Sequence, residues 1–234
     1  MDFAIPTLLN ALSYGLLLFM LAAGLTLVFS LMGIMNFAHA SLFMLGAYVA
    51  YSISARIGFW AGLVIAPLAV AVFGMLGERF VLRRLHARGH VSELLFTFGA
   101  ALLIEEVVKL VWGLGPVDYR VPPELQGTLF AAFGARFPIH KGFVILTALA
   151  SLGVIWWVIA RTRAGLVVRA ALADPGMVES LGHDVGRVFT LVFGLGSGLA
   201  GLAGAVGGAV LVTEPSMAAH LGTIVFVVVV VGGL

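Results

Sequence analysis

Residues 161–187 read RTRAGLVVRAALADPGMVESLGHDVGR. The stretch carries Arg161, Arg163, Arg169 and Arg187 together with Asp174, Glu179 and Asp184, and it lies between two long apolar runs. Its middle, Val167–Leu181, suits a helix but is too polar to cross a bilayer. The runs on either side therefore span, and this stretch is held outside the lipid. Asp174-Pro175 can open a short helix that Gly182 closes, since Pro fits the first helical position and Gly the exit. A helix lying on an anionic membrane surface favours Lys or Arg beside bulky Trp or Phe. Residues 169–182 contain no Trp or Phe, so they read as a docking helix for a protein partner, with a solvated surface helix as the alternative.

Composition agrees with spanning runs. Charged residues are 10% and apolar residues 62% of the 234, against about 25% and about 45–50% in soluble domains. A soluble chain of this length cannot hide so much apolar surface. The 30 Gly fit membrane helices, where Gly is common. With no Cys, a disulfide or thiolate metal site is excluded. The N-terminus lacks a basic flank and its first apolar run is long enough to span, so it does not read as a signal peptide.

A spanning helix takes about 20 apolar residues. No Asp, Glu, Lys or Arg occurs between Asp2 and Arg56. Two spans fit there, Thr7–Leu31 and Ala40–Ser54, separated by a break at Gly33, Asn36 and His39. The second is short, so segment 33–54 either spans with tilt or is re-entrant. Further spans are expected at Phe59–Gly77, Ser92–Trp112, Gly142–Ala160 and Val188–Val212, and a last apolar run begins near His220. Between them lie a basic loop, Glu78–His90, and a polar connection, Gly113–Lys141. The fold class is all-α and polytopic, with about six to seven transmembrane helices in a single transmembrane domain over residues 1–234.

Arginine placement orients it. Arg79, Arg83, Arg84 and Arg88 share one loop and Arg161, Arg163, Arg169 and Arg187 another, two spans later. The opposite side holds Arg56, Arg120, Arg136 and Lys141. The eight-residue side is cytoplasmic, which puts the N-terminus outside. The final run, ending Val229-Val-Val-Gly232-Gly233-Leu234, stops within a membrane segment, so the domain is expected to be incomplete at its C-terminus.

Several motifs are missing. No Gly-Lys-Ser or Gly-Lys-Thr is present, so no phosphate loop for ATP. No His-Glu-x-x-His or Gly-x-Ser-x-Gly supports a membrane protease. His86 and His90 are four apart but lie among arginines, and read as loop charge rather than a metal site. No metal site and no nucleic-acid partner are expected.

The polar residues within spans are the site candidates. Glu105, Glu106 and Lys109 can pair locally at i,i+4 and i,i+3, or mark the outer mouth of a pathway. Asn36 and His39 either satisfy free backbone at the break or line a cavity where a broken helix shows its polar end. Gly194/Gly198 and Gly204/Gly208 are small-xxx-small pairs, and with Gly201 they allow close helix packing, or give a smooth surface for helix movement.

Four places resemble the permease subunits of branched-chain amino acid ABC transporters. They are Gly33-Ile-Met-Asn36-Phe-Ala-His39 with Met44-Leu-Gly46-Ala-Tyr48-Val-Ala50, then Arg169-Ala-Ala-Leu-Ala-Asp174 with Met177 and Leu181-Gly182, then Leu199-Ala-Gly201-Leu-Ala-Gly204, and last Val229–Leu234. Ala40-Ser41 and His183 stand where the family usually has a Gly-acidic pair and an Ile. The resemblance implies a transport subunit of the bacterial inner membrane, not an enzyme, that pairs with a second permease chain. Two ATP-binding subunits would carry ATP and Mg, with no cofactor in this chain. A substrate-binding protein outside would deliver leucine, isoleucine, valine or a related small polar solute. It also implies a cytoplasmic coupling loop at 161–187, whose contacts with the ATPase would be Arg169, Ala170, Ala171, Asp174, Met177, Glu179, Leu181 and Gly182. The alternative is an ATP-independent secondary transporter or channel using Glu105, Glu106 and His39.

Overall fold

The computed structural model of the chain describes residues 4–33, 35–86, 88–132 and 135–232. Ile34, Ala87 and the terminal Gly233-Leu234 of the motifs above lie outside the described residues. The helices are α1 (Ala4–Met32), α2 (His39–Ser54), α3 (Phe59–Gly77), α4 (Arg83–His86), α5 (His90–Trp112), α6 (Ile139–Arg161), α7 (Arg163–Ala173), α8 (Pro175–Ser180), α9 (Val185–Gly207) and α10 (Met217–Val231). Four stretches are long and apolar enough to cross a membrane: Thr7–Ser30, Phe59–His86, Ile139–Arg161 and Val185–Gly207. The chain is an all-α polytopic membrane protein, and each apolar run expected from sequence is helical.

Three expectations need correction. The basic stretch after Gly77 is not a loop. A π-helical turn, Glu78–Leu82, carries α3 directly into α4. Arg and Leu are good helix formers, and the helix runs on to His86. The span expected to reach Val212 ends at Gly207, and residues 208–216 return as an irregular segment tied to Val117 by the Thr213 carbonyl (2.9 Å). The polar connection 113–138 holds a small antiparallel hairpin, β1 (Thr128–Ala132) and β2 (Ala135–Pro138).

The ends of the bundle sort as the arginines predict. At one end Lys141 Nζ meets Asn10 Oδ1 at 2.6 Å, and Tyr119 donates to the Ala205 carbonyl at 2.9 Å. Burial pushes the Tyr119 phenol up to about 12, so it donates as a neutral hydroxyl. At the other end Arg83 reaches the carbonyl of Gly186, at the start of α9.

Helix α9 is the hub, packed by α1, α2 and α3. In lipid no hydrophobic drive separates helix from solvent, so close backbone approach does the work. A Cβ added at Gly196 would come 2.7 Å from the Gly24 carbonyl oxygen, one at Gly46 2.5 Å from that of Gly201, and one at Gly204 2.0 Å from that of Phe43. Around this seam pack Met20, Leu21, Phe43, Met44 and Tyr48, all fully buried. Helix α6 stands at the edge, and its Leu149, Val154, Trp156 and Trp157 face outward.

Candidate functional site

Two structures concern function: an exposed helix pair at the arginine-rich end, and a spanning segment that is helical for only part of its length.

The chain leaves α6 by a sharp turn. Gly165 lies so close to the carbonyls of Val158 and Ile159 that a Cβ would meet each at 2.3 Å. Thr162 caps α7 by accepting from Gly165 N at 3.1 Å. The stretch holds two helices, α7 and α8, broken at an extended Asp174, and the second opens at Asp174-Pro175 as the sequence suggests. Pro175 cannot continue α7 because it lacks an N–H and disfavours helical backbone before it. Asp174 then caps α8, accepting from Met177 N at 3.0 Å. Gly182, at φ 84°, ends it, while His183 N reaches back to the Val178 carbonyl at 3.2 Å. This is the left-handed exit that a β-carbon would strain.

One face of the pair is anchored. Ala171, Val178 and Val185 form a small buried cluster with Val167 and Phe189. The other face is free. Met177 is 63% and Leu181 73% exposed, and Arg169, Ala170, Asp174, Glu179 and Gly182 are exposed beside them. Of the eight residues named from sequence, Ala171 alone points inward, where it holds the pair to the bundle.

The foot of α9 is clamped to the foot of α3, a feature the sequence reading missed. Glu78 is fully buried. Its Oε2 accepts from Thr190 Oγ1 at 2.5 Å, and its Oε1 lies 3.5 Å from Arg83 Nε. Arg83 also donates to Thr190 Oγ1 at 2.7 Å and to the Gly186 carbonyl. The π turn sets Glu78 and Arg83, five apart, on one face. Close by, the buried Glu93 carboxylate meets His86 Nδ1 at 2.6 Å and lies 3.3 Å from His90 Nδ1. Among the described residues no cluster of His, Cys, Asp and Glu could hold a metal ion.

The segment after α1 resolves into two parts. Residues 33 and 35–38 are not helical, and α2 starts at His39. Gly33 stands beside His90, at the arginine-rich end. Ser41 Oγ donates to the Ala101 carbonyl at 3.4 Å, and Ala101 is midway along α5. So the chain climbs to mid-bundle before its helix begins. Irregular backbone at that depth survives only where protein surrounds it. Asn36 Oδ1 accepts from Ala38 N at 3.0 Å, and Thr97 Oγ1 reaches the Met35 carbonyl at 3.4 Å. His39 is buried, with Nε2 at 3.0 Å from the Leu21 carbonyl. Asn36 and His39 thus meet at one joint, while Glu105 and Glu106 lie far from it. Those two hold Lys109 Nζ at 2.8 and 2.9 Å near the outer end of α5.

Among the glycines named from sequence, Gly201 and Gly204 meet α2 and α3, Gly194 faces Met75 and Gly198 faces Ala71. Gly208 falls just past the end of α9, against Ala47 and Thr213. Gly196 and its partner Gly24 were not singled out.

The profile of the family described as "Branched-chain amino acid transport system / permease component" matches residues 7–234. The chain is similar to the high-affinity branched-chain amino acid transport system permease protein LivH of Escherichia coli, 27% identical over 96% of this chain and 77% of that protein. BraD of Pseudomonas aeruginosa, of the same description, is 25% identical over 97% of this chain and 78% of its own length. A probable branched-chain amino acid transport permease of Methanocaldococcus jannaschii is 28% identical over 83% and 63%. No solved structure matches the chain significantly.

Proposed function

We infer the function of this chain from its kinship: it belongs to the branched-chain amino acid transport system permease family. It is the membrane-spanning permease subunit of an ABC importer for branched-chain amino acids or a related small polar solute, in a bacterial inner membrane. One observation carries this reading. A chain that matches the family over residues 7–234 presents an exposed helix pair at its arginine-rich end, and its sequence lacks an ATP-binding loop. In this reading the motor is a separate subunit, and α7–α8 is where it docks.

In mechanism, two ATP-binding subunits, with ATP and Mg, close against each other beneath this chain and a second permease chain. Met177, Leu181, Asp174 and Glu179 take up that movement, with Arg169, Ala170 and Gly182 around them. Ala171 and its cluster pass it to the foot of α9. Because α9 is locked to α3 through Arg83, Thr190 and Glu78, and to α1 and α2 through the glycine seam, the hub moves as one body. The joint at Asn36 and His39 lets the two parts of the second segment shift separately. Glu105 and Glu106 stand at the outer mouth, where a substrate-binding protein delivers the solute. This chain hydrolyses nothing and holds no cofactor.

The test is uptake by the assembled transporter in proteoliposomes, with the binding protein outside and ATP inside, against leucine, isoleucine, valine and urea. Uptake of a branched-chain amino acid that stops when ATP is withdrawn is expected. Uptake by this chain alone, driven by a proton gradient, would overturn the reading.

A further inference from the structure

Among the described residues, one ionisable side chain at mid-bundle depth bonds to no other. His220 lies in the first turns of α10, which runs from the irregular segment at the outer end toward the arginine-rich end. Its depth is fixed by neighbours. A Cβ at Gly222 would come 3.3 Å from that of Ala40, and Ala40 precedes Ser41, which bonds the midpoint of α5. His220 therefore stands about 3 Å outward of the middle, at about 1.5 Å per residue.

Helix α10 buries Met217, Leu221, Val225 and Val229 against α2 and α1. Its other face, with Ala219, His220, Thr223 and Val227, is exposed. The two polar groups there differ. Thr223 Oγ1 lies 3.5 Å from the Ala219 carbonyl, a contact within its own helix that lipid tolerates. The His220 ring bonds to no described residue. The other ionisable group at this depth, His39, is buried and held by the Leu21 carbonyl. An imidazole turned to hydrocarbon with both nitrogens bare is costly, and intramembrane ionisable residues face protein or water instead.

We propose that the α10 face carrying Ala219, His220 and Thr223 lines a water-filled passage, and that His220 donates a hydrogen bond there to the carboxylate of a small solute in transit. This rests on the permease reading. It adds which face is wet and which side chain meets the solute.

The native chain has no Cys, so single thiols can be read cleanly in the whole transporter built with Cys-free partners. His220→Cys and Thr223→Cys are compared with Leu149→Cys on the outward face of α6. A charged methanethiosulfonate reacts with thiolate, which an apolar setting suppresses. Labelling at 220 and 223 is expected to be at least about tenfold faster than at 149, and to slow when leucine and the binding protein are added. Thr223→Cys gives the same readout if the other variant fails to assemble. His220→Leu is expected to raise KM for uptake at least about tenfold, as a lost hydrogen bond to a charged group predicts, and His220→Asn to restore most of it. Slow labelling at both positions in a transporter that still imports leucine overturns the passage, and unchanged KM in His220→Leu overturns the solute contact. A wet face in a transporter that imports no amino acid leaves the passage standing and refutes the substrate reading.

Discussion

The space for a side chain at Gly204 is already filled. An added Cβ would fall 2.0 Å from the Phe43 carbonyl oxygen, which belongs to backbone and cannot swing away. Gly204→Ala should therefore cost about 1–3 kcal/mol by overpacking, seen as a lower melting temperature in detergent. Gly15→Ala, with nothing within 4 Å, should change stability by less than about 0.5 kcal/mol. Equal melting of the two would mean that the seam does not carry the bundle. Glycine spacing marked α9 as a packing helix but not its contact faces. In a helix this rich in Gly, small-xxx-small pairs recur on every face. Gly194 fits the spacing yet meets only the Met75 side chain, while Gly196, two residues on, meets the Gly24 backbone as well as Val28. His220 was passed over for a related reason: a sequence shows that a His lies in an apolar run, not which way it points.

Helices α7 and α8 can be tested without harming the bundle, because their outer side chains support nothing beneath them. Met177→Ser with Leu181→Ser should leave the melting temperature of the chain within about 1 °C, as substitutions at exposed sites do. The same pair should lower co-purification of the ATP-binding subunit and ATP-driven uptake several-fold. Normal docking in that variant would remove α8 from the contact. The clamp predicts the opposite pattern. Thr190→Val leaves a buried acceptor on Glu78 without its donor, at a cost of about 1–3 kcal/mol. It should not act additively with Arg83→Met, since both remove contacts to one carboxylate; additive losses would show that the two bonds are independent. The sequence showed the break at Asp174-Pro175 because proline chemistry is local. It hid the helix through Glu78–His86 because charge was read as loop, whereas a helix that has left the lipid can carry arginine freely. The Glu78–Thr190 contact joins residues 112 positions apart, which no local pattern reports.

At the scale of the molecule, lengths and apolar runs were enough to place every long helix, and arginine counts to sort the connections between the two ends. The depth at which α2 begins was not legible. A break at Gly33–His39 reads equally as a turn outside the membrane and as a joint inside it, and only packing against α1, α5 and α9 decides. Sidedness remains a physical prediction. Eight basic residues flank one end and four the other, and the bias directs insertion with the richer end inside. Because the chain has no Cys, one thiol at each end suffices. Arg136→Cys, at an exposed position of β2, should react with a membrane-impermeant maleimide in intact cells. Arg169→Cys, on α7, should react only after the membrane is opened. Each variant removes one arginine from its own side, leaving seven to four or eight to three, so neither reverses the bias that it tests. The reverse pattern would place α7–α8 outside, away from any ATP-driven partner, and the docking role of Met177 and Leu181 would go with it.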